Sequence, residues 1–358
     1  MQNLYTTEGR SLSPLPWNDY PRPQLARADW LCLNGEWTLE YGGNSCRVLV
    51  PFCPESLLSG VSAPPAIGQV MFYRRRFSLP DSWNGKRVLL HFGAVSREAV
   101  VFLNGQELCR HDNSYLPFTA EITDVLRQGE NELCVRVVND LSHKSPWGKQ
   151  SRKRGGMWYT PCSGIWQTVW AEPVPQEYVC ALRIRTGAAY ADVEAEGVRG
   201  GAAVFEGREC PLRDGRVRIP VREPVLWSPE NPHLYRFSLV CGEDRVESYF
   251  ALRTLSVETV GGIPRLCLNG EPYFFHGILD QGYWKDSHLT PPDEQALIDD
   301  IDKIQAMGFN GLLKHMKIED ERFLYWCDVK GMLVWSEMAA AYEYSDDAVQ
   351  DRKSTRLN

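Results

Sequence analysis

The spacing of apolar residues changes character once along this chain, and that change constrains the fold more than any other feature. From residue 30 to about 174, apolar residues come in short runs closed by turn residues. Examples are Glu36-Trp37-Thr38-Leu39-Glu40-Tyr41, Arg87-Val88-Leu89-Leu90-His91-Phe92, and Ala99-Val100-Val101-Phe102-Leu103 before Asn104-Gly105. Runs of this length with an Asn-Gly turn read as antiparallel strands. No helical periodicity interrupts them, so a jelly-roll β-sandwich is expected. A Pro-rich joint, Pro173-Val174-Pro175, precedes a second series of short strands from 178 to about 257, the size of an immunoglobulin-like β-sandwich.

After Gly261-Gly262 strands and helices alternate. Tyr273-Phe274-Phe275-His276-Gly277-Ile278-Leu279 is a continuous apolar run, as expected for a strand buried on both faces of a parallel sheet. Thr290-Pro291-Pro292-Asp293 reads as an N-cap with Pro at the first helical position. Leu297, Ile298, Ile301, Ile304 and Met307 then follow at helical spacing up to Gly308. A strand over 309–313, a helix over 320–330 stopped by Gly331, and a strand over 332–335 complete a β-α-β-α-β series. That series opens either a (β/α)8 TIM barrel or a doubly wound sheet. A complete barrel takes about 250 residues, and about 100 follow Leu255, so the barrel is expected to be incomplete. Residues beyond about 260 are then expected to be molten or aggregation-prone in isolation, because unfinished strands expose apolar edges. Asp351-Arg352-Lys353-Ser354-Thr355-Arg356-Leu357-Asn358 continues no pattern and is similar to translated library-adapter sequence; it is set aside as a non-native tail.

Composition narrows the function classes. Hydrophobic residues at 43% and charged residues at 24% are globular values. A formal charge of −7 argues against a nucleic-acid partner, and the one basic run, residues 149–154, is too short to reverse that. No stretch approaches a membrane span and the start is polar, so the expectation is a soluble, cytoplasmic protein with no membrane partner. Eleven cysteines occur without a CxxC pair, several of them inside apolar runs (Cys32, Cys134, Cys180, Cys267, Cys327). They read as buried free thiols rather than a disulfide framework or a zinc site. The 12 Trp and 15 Tyr suit sugar stacking, and equally the filling of sandwich cores.

Several local sequences, in order, resemble glycoside hydrolase family 2, the family of β-galactosidases, β-glucuronidases and β-mannosidases. Leu33-Asn34-Gly35-Glu36-Trp37 is similar to its N-terminal strand, Tyr73-Arg74-Arg75-Arg76-Phe77 to its Y-R-R-x-F strand, and Val101-Phe102-Leu103-Asn104-Gly105 to its V-x-x-N-G hairpin. Ser163-Gly164-Ile165-Trp166-Gln167-Thr168-Val169-Trp170 resembles the S-G-I-W-Q-x-V-W signature that closes the sugar-binding domain, the most specific of these matches. Leu226-Trp227-Ser228-Pro229-Glu230-Asn231-Pro232 with Leu234-Tyr235 resembles the second sandwich's W-x-P-x-x-P-x-L-Y segment. Leu268-Asn269-Gly270-Glu271-Pro272 and Met307-Gly308-Phe309-Asn310 resemble the start of the catalytic barrel. The resemblance covers roughly residues 28–345. It implies a jelly-roll sugar-binding domain over 1–174, an immunoglobulin-like sandwich over 175–256 and the first part of a TIM barrel over 257–350.

The resemblance also implies hydrolysis of O-glycosyl bonds by a retaining exo-β-glycosidase, β-galactosidase-like or related, with a carbohydrate or glycoside substrate and a homo-oligomeric full-length protein. Retention needs two carboxyl groups about 5–5.5 Å apart. In the family these sit on barrel strands four and seven, beyond the three strands read here, so no residue is assigned as catalytic and the chain alone is expected to be inactive. Barrel enzymes place function at the C-terminal ends of their strands. The substrate-binding candidates are therefore Asp280, Gln281 and Tyr283 after the first strand, His315 (beside Lys314) after the second and Glu337 after the third. Asp140 sits where β-galactosidases carry a substrate-facing Asp, although capping a turn explains it as well. Asp280 could instead satisfy a loop, and Tyr283 and Trp284 could be core.

Two departures leave the sugar open. His276-Gly277-Ile278-Leu279-Asp280-Gln281-Gly282 replaces the usual His-Glu motif, and Leu313-Lys314-His315-Met316-Lys317 lacks the Arg of R-T-S-H-Y-P. No metal or other cofactor is assigned, because the carboxylates of the family's cation site lie partly beyond this segment. The competing readings are a non-catalytic carbohydrate-binding protein built of the same sandwiches, for which the barrel start has no use, and a doubly wound nucleotide-binding domain, for which Asp280-Gln281-Gly282-Tyr283 supplies no phosphate loop.

Overall fold

A computed structural model describes residues 5–153 and 155–343. The proposed tail at 351–358 and residues 344–350 lie outside the described residues.

The first body is an antiparallel sandwich. Strands Asn44–Val50, Gly35–Tyr41, Met71–Ser78, Glu130–Val138, Glu98–Leu103 and Gln106–Asp112 form one sheet in that order. Leu31–Cys32, Val169–Val174, Arg87–Phe92 and Phe118–Glu121 form a second. Alternation along Gly35–Tyr41 turns Trp37, Leu39 and Tyr41 inward and Glu36 and Thr38 outward. Trp37, Leu39, Tyr73, Val101 and Val135 from one sheet share a core with Leu90, Phe92, Val169 and Ala171 from the other. The Asn104-Gly105 turn takes positive φ at both residues and joins its two strands as the sequence predicts.

The second body is one sheet folded on itself, in the order Ala181–Thr186, Tyr190–Glu196, Arg216–Pro220, Arg208–Arg213, Gly200–Phe205, Tyr235–Cys241 and Asp244–Phe250. A single pair, Arg213 with Arg216, joins the third and fourth strands. Val193, Val217 and Ile219 from before that corner meet Ala203, Phe205, Phe237, Leu239 and Phe250 from beyond it in one core.

Leu255–Val260 and Ile263–Leu268 are the two arms of a hairpin. Its turn is Gly261-Gly262, with φ of +61° and +80°, a conformation that costs glycine little and a residue with a Cβ much more. The point at which the sequence pattern changes is thus a tight turn inside one element, and the new architecture begins later.

That architecture is β1 (Gly277–Asp280), α1 (Glu294–Ala306), β2 (Gly311–Lys314), α2 (Glu321–Lys330) and β3 (Leu333–Ser336), with the three strands parallel in the order β1-β2-β3. On one face Ile278, Leu312 and Val334 lie in register and pack against Leu297, Ile301, Ile304, Phe323 and Cys327 of the helices. On the other face Leu279 and Trp335 remain largely exposed. The expectation of a first strand spanning 273–279 and buried on both faces is corrected on both counts. The strand begins at Gly277, Phe274 is 81% exposed, and among the described residues helices cover one face only.

The start of α1 also differs from expectation. Asp293 is the N-cap, its Oδ1 accepting from the Ala296 N–H at 2.7 Å. Thr290 is unavailable for that role, since its hydroxyl is held between the carbonyls of Pro51 and Trp166. All eleven cysteines are unpaired, but Cys180 is exposed rather than buried. No described helix is long and apolar enough to cross a membrane.

The family-like signatures act largely as glue between these bodies. Trp166, fully buried, donates its indole N–H to Ser114 O at 2.8 Å and packs with Tyr115, Cys162, Leu289 and Ala339. Arg322, on α2, donates to Thr168 Oγ1 at 2.9 Å and to Asp19 O at 3.1 Å. Trp227, from the second sandwich, donates to Asp328 O near the end of α2 at 2.8 Å. Each bond satisfies a polar group that the interface removes from water.

Candidate functional site

The three parallel strands end together, which brings the residues after them to one edge. His315 N donates to Asp280 O at 2.8 Å and Glu337 N to Lys314 O at 3.0 Å, so the ladder continues one step past each strand. Beyond that step the side chains of two candidates meet: His315 Nδ1 lies 2.5 Å from Glu337 Oε2, which also accepts from Met316 N at 3.2 Å. Both side chains keep partial access to solvent. A carboxylate and an imidazole in contact can hold a substrate hydroxyl by accepting from it and donating to it.

Asp280 faces inward and is already committed. One oxygen pairs with Lys314 Nζ, and the other accepts from Gly282 N at 2.7 Å. Burial raises its carboxyl, but Lys314 outweighs that and holds it below the ordinary range. For Lys314 burial acts to lower the pKa, and Glu319 and Asp280 together keep it raised. Deeper still, Lys317 is 1% exposed in its side chain. It pairs with Glu319 and donates to Gly282 O at 2.9 Å and Leu289 O at 2.7 Å. Burial lowers its pKa despite Glu319. The loop after β1 is therefore clamped from beneath by two lysines.

Gln281 and Tyr283 carry unspent hydrogen-bonding capacity, since Gln281 Oε1 and the Tyr283 hydroxyl are buried with no partner among the described residues. The Tyr283 ring stacks on Tyr159 of the first sandwich, centroids 3.9 Å apart and 9° from parallel, and packs against the buried cluster around Trp166. Its ring is core while its hydroxyl is unsatisfied.

Asp140 contacts none of the other five candidates. Its Oδ1 pairs with Arg97 at 2.9 Å and accepts from Ser142 N at 3.0 Å, which makes it a turn cap and an ion partner. It stands at the root of a loop that does reach the strand ends. In that loop Trp147 N and Gly148 N donate to Ala340 O at 3.1 and 3.2 Å, and His143 O accepts from Tyr342 N and Glu343 N at 3.0 and 2.8 Å. Gly148, at φ +68°, lies so close to the residue after His315 that a Cβ there would sit 2.6 Å from Met316 O. The first sandwich thus walls the site.

Sequence reasoning did not find Lys317, Glu319 or Tyr159. Lys317 and Glu319 lie in a polar stretch that reads as exposed, and lysine is seldom buried. Tyr159 is more than a hundred positions from its stacking partner. Among the described residues no three His, Cys, Asp or Glu side chains converge to hold a metal ion.

Residues 67–167 match the family model described as the glycosyl hydrolase 2 galactose-binding domain-like domain, and residues 185–253 match the model for glycosyl hydrolases family 2. A β-galactosidase of Thermoanaerobacter pseudethanolicus is 25% identical over 311 residues, covering 78% of this chain and 40% of that protein. A β-glucuronidase of Paenibacillus borealis is 24% identical over 327 residues, covering 78% and 52%. The structure of a β-glucuronidase from an uncultured Clostridium sp. superimposes with a TM-score of 0.77 at 22% identity, over 93% of this chain and 64% of that one. The chain spans about half or less of the length of these two curated relatives. Two family models in the expected order, on two sandwiches docked as described, place the chain in glycoside hydrolase family 2.

Proposed function

We propose that this chain is the leading part of a retaining exo-β-glycosidase of the β-galactosidase or β-glucuronidase kind, acting on the O-glycosyl bond of a carbohydrate or glycoside. The observation that carries the reading is the contact between His315 and Glu337 at the common edge of three parallel strands, beneath a wall built by the first sandwich. That edge is where barrel enzymes gather their chemistry. In this reading 1–174 is the sugar-binding sandwich, 175–256 the second sandwich and 257–350 the first part of a (β/α)8 barrel, whose later strands cover Leu279 and Trp335.

His315 and Glu337 then hold sugar hydroxyls, and Gln281 and the Tyr283 hydroxyl offer further bonds. Asp280 acts indirectly by fixing Lys314 and the loop after β1. The two carboxyl groups of retaining chemistry belong, by the family resemblance, on strands four and seven. The chain as given therefore binds without turning over. A reducing, cytoplasmic setting is part of the proposal, in keeping with a cysteine pattern that contains no CxxC pair. A homo-oligomer is part of the proposal for the complete protein.

The test is to express the open reading frame extended through its downstream sequence, and separately the 358-residue chain, and to assay both on nitrophenyl β-galactoside and β-glucuronide. Turnover by the extended protein alone is the expected result. Turnover by neither, or by the short chain, overturns the proposal.

A further inference from the structure

The described part of the basic run, residues 149–153, belongs to the loop that walls the site, and with the residues before it that loop forms a cleft of about 470 Å³ lined by His143, Lys144, Trp147, Arg152, Lys153 and the acidic Glu343, among others. This volume is within the about 300–1,000 Å³ of small-molecule sites. Four of those six are basic side chains. Arg152 is tied to the Asp140 carbonyl and His143 stands 3.8 Å from Glu343. Lys144 and Lys153 have no acidic partner among the described residues and are exposed. Trp147 supplies an apolar wall; it is more than nine-tenths buried and its indole N–H is unpartnered among the described residues. In a protein of net charge −7, two unpaired lysines and Arg152 facing the single acid Glu343 of this cleft are a local reversal of the overall field.

We propose that this cleft is an accessory subsite for an anionic saccharide unit, one carrying carboxylate or sulfate groups, that extends from the sugar held at the strand ends. Its position supports this: the same loop touches Met316 O through Gly148 and Ala340 O through Trp147, so the cleft adjoins the His315–Glu337 edge. Exposed cations at an open rim suit the part of a substrate outside the enclosed sugar pocket, where bonds to solvated anions are exchanged at little desolvation cost. The inference rests on reading the strand ends as a sugar site.

The experiment is calorimetric titration of the 358-residue chain with trigalacturonate, a chondroitin sulfate tetrasaccharide and neutral maltotriose, in 50 and 300 mM salt. One or both acidic probes should bind and maltotriose should not. Binding should weaken with salt, and the K144E/K153E variant should lose it at least about tenfold while melting like the wild type. A charge-matched variant on the second sandwich, R208E/R213E, should bind as the wild type does. No binding of either acidic probe, equal binding of maltotriose, unchanged binding by K144E/K153E, or equal loss in R208E/R213E overturns the proposal. Because no turnover is read, failure here leaves the glycosidase assay of the extended protein standing, and failure there leaves the binding result standing.

Discussion

His315 and Glu337, each the residue immediately after one of two neighbouring parallel strands, share a 2.5 Å hydrogen bond between Nδ1 and Oε2. The sheet register sets this contact, since Lys314 pairs with Ser336 in β2 and β3 and the next residues are carried out side by side. A glutamine at 337 keeps the shape and removes the charge. Because both groups are partly exposed, Glu337→Gln should change unfolding free energy by less than about 1 kcal/mol. In the extended protein it should lower kcat/KM at least about tenfold, which is about 1.4 kcal/mol of transition-state binding. Activity within twofold of wild type would remove Glu337 from the site.

Lys317 tests whether the loop after β1 is clamped from below. Lys317→Ala leaves the buried Glu319 carboxylate only the more distant Lys314, at 3.8 Å, and takes the lysine donor from the carbonyls of Gly282 and Leu289. The expected loss is about 3 to 5 kcal/mol in urea unfolding, the range for breaking a buried pair. The double change K317M/E319Q removes both charges and should recover a good part of it. If K317A unfolds at the wild-type midpoint, the clamp is not part of the stability of this region.

Acid sensitivity should centre on His91 and Glu172, whose facing atoms lie 3.1 Å apart between the first sandwich and the residues before it, with Arg22 and Arg27 also on Glu172. Burial pushes the His91 pKa down to about 4. The unfolded chain therefore takes up a proton near pH 6.5 that the folded chain refuses until about 4, and stability falls as pH drops across that window. Burial raises the Glu172 carboxyl, but Arg22, then His91 and Arg27, hold it well below the ordinary range. Its contribution is present above about 4.5 and is lost at lower pH. Glu321 acts in the opposite sense, since burial raises it to about 7 and it costs stability as pH rises from 4.5. The His91 contribution is isolated by difference: H91Q should flatten the pH dependence between 6.5 and 4 by up to about 1.4 kcal/mol per pH unit. Parallel curves for H91Q and wild type would contradict this.

The docking bonds of the strand–helix unit shape a prediction about proteolysis. Arg322, Thr290 and Trp227 tie that unit to both sandwiches. The hairpin around Gly261-Gly262 and the segment at Phe274 are exposed. Limited proteolysis should therefore nick between about 257 and 276 first, and the nicked pieces should co-elute in size exclusion. Earlier cutting within α1 or α2 would support a molten state for this unit instead.

Much of the chain was legible before any coordinates, for a local reason. Strand periodicity in Gly35–Tyr41, the Asn104-Gly105 turn and the Gly331 stop of α2 each depend on the chemistry of a few adjacent residues. Where local chemistry was ambiguous the reading slipped, as at α1, where Thr290 and Asp293 are both good caps and the distant carbonyls of Pro51 and Trp166 decided between them.

By itself the sequence determined the order of architectures, the family and, to within one residue, where each parallel strand ends (the reading stops one short of Asp280, Lys314 and Ser336), because periodicity, caps and motifs are written in neighbouring positions. Only the tertiary structure decided which residues at those ends meet. It joined His315 to Glu337, turned Asp280 toward Lys314, withdrew Asp140 to Arg97 and set a basic loop of the first sandwich against the strand ends. The physical reason is that hydrogen bonds and ion pairs act over a few ångströms in space, whatever their separation along the chain, and packing of the sandwiches onto the sheet sets which distant groups come within that reach.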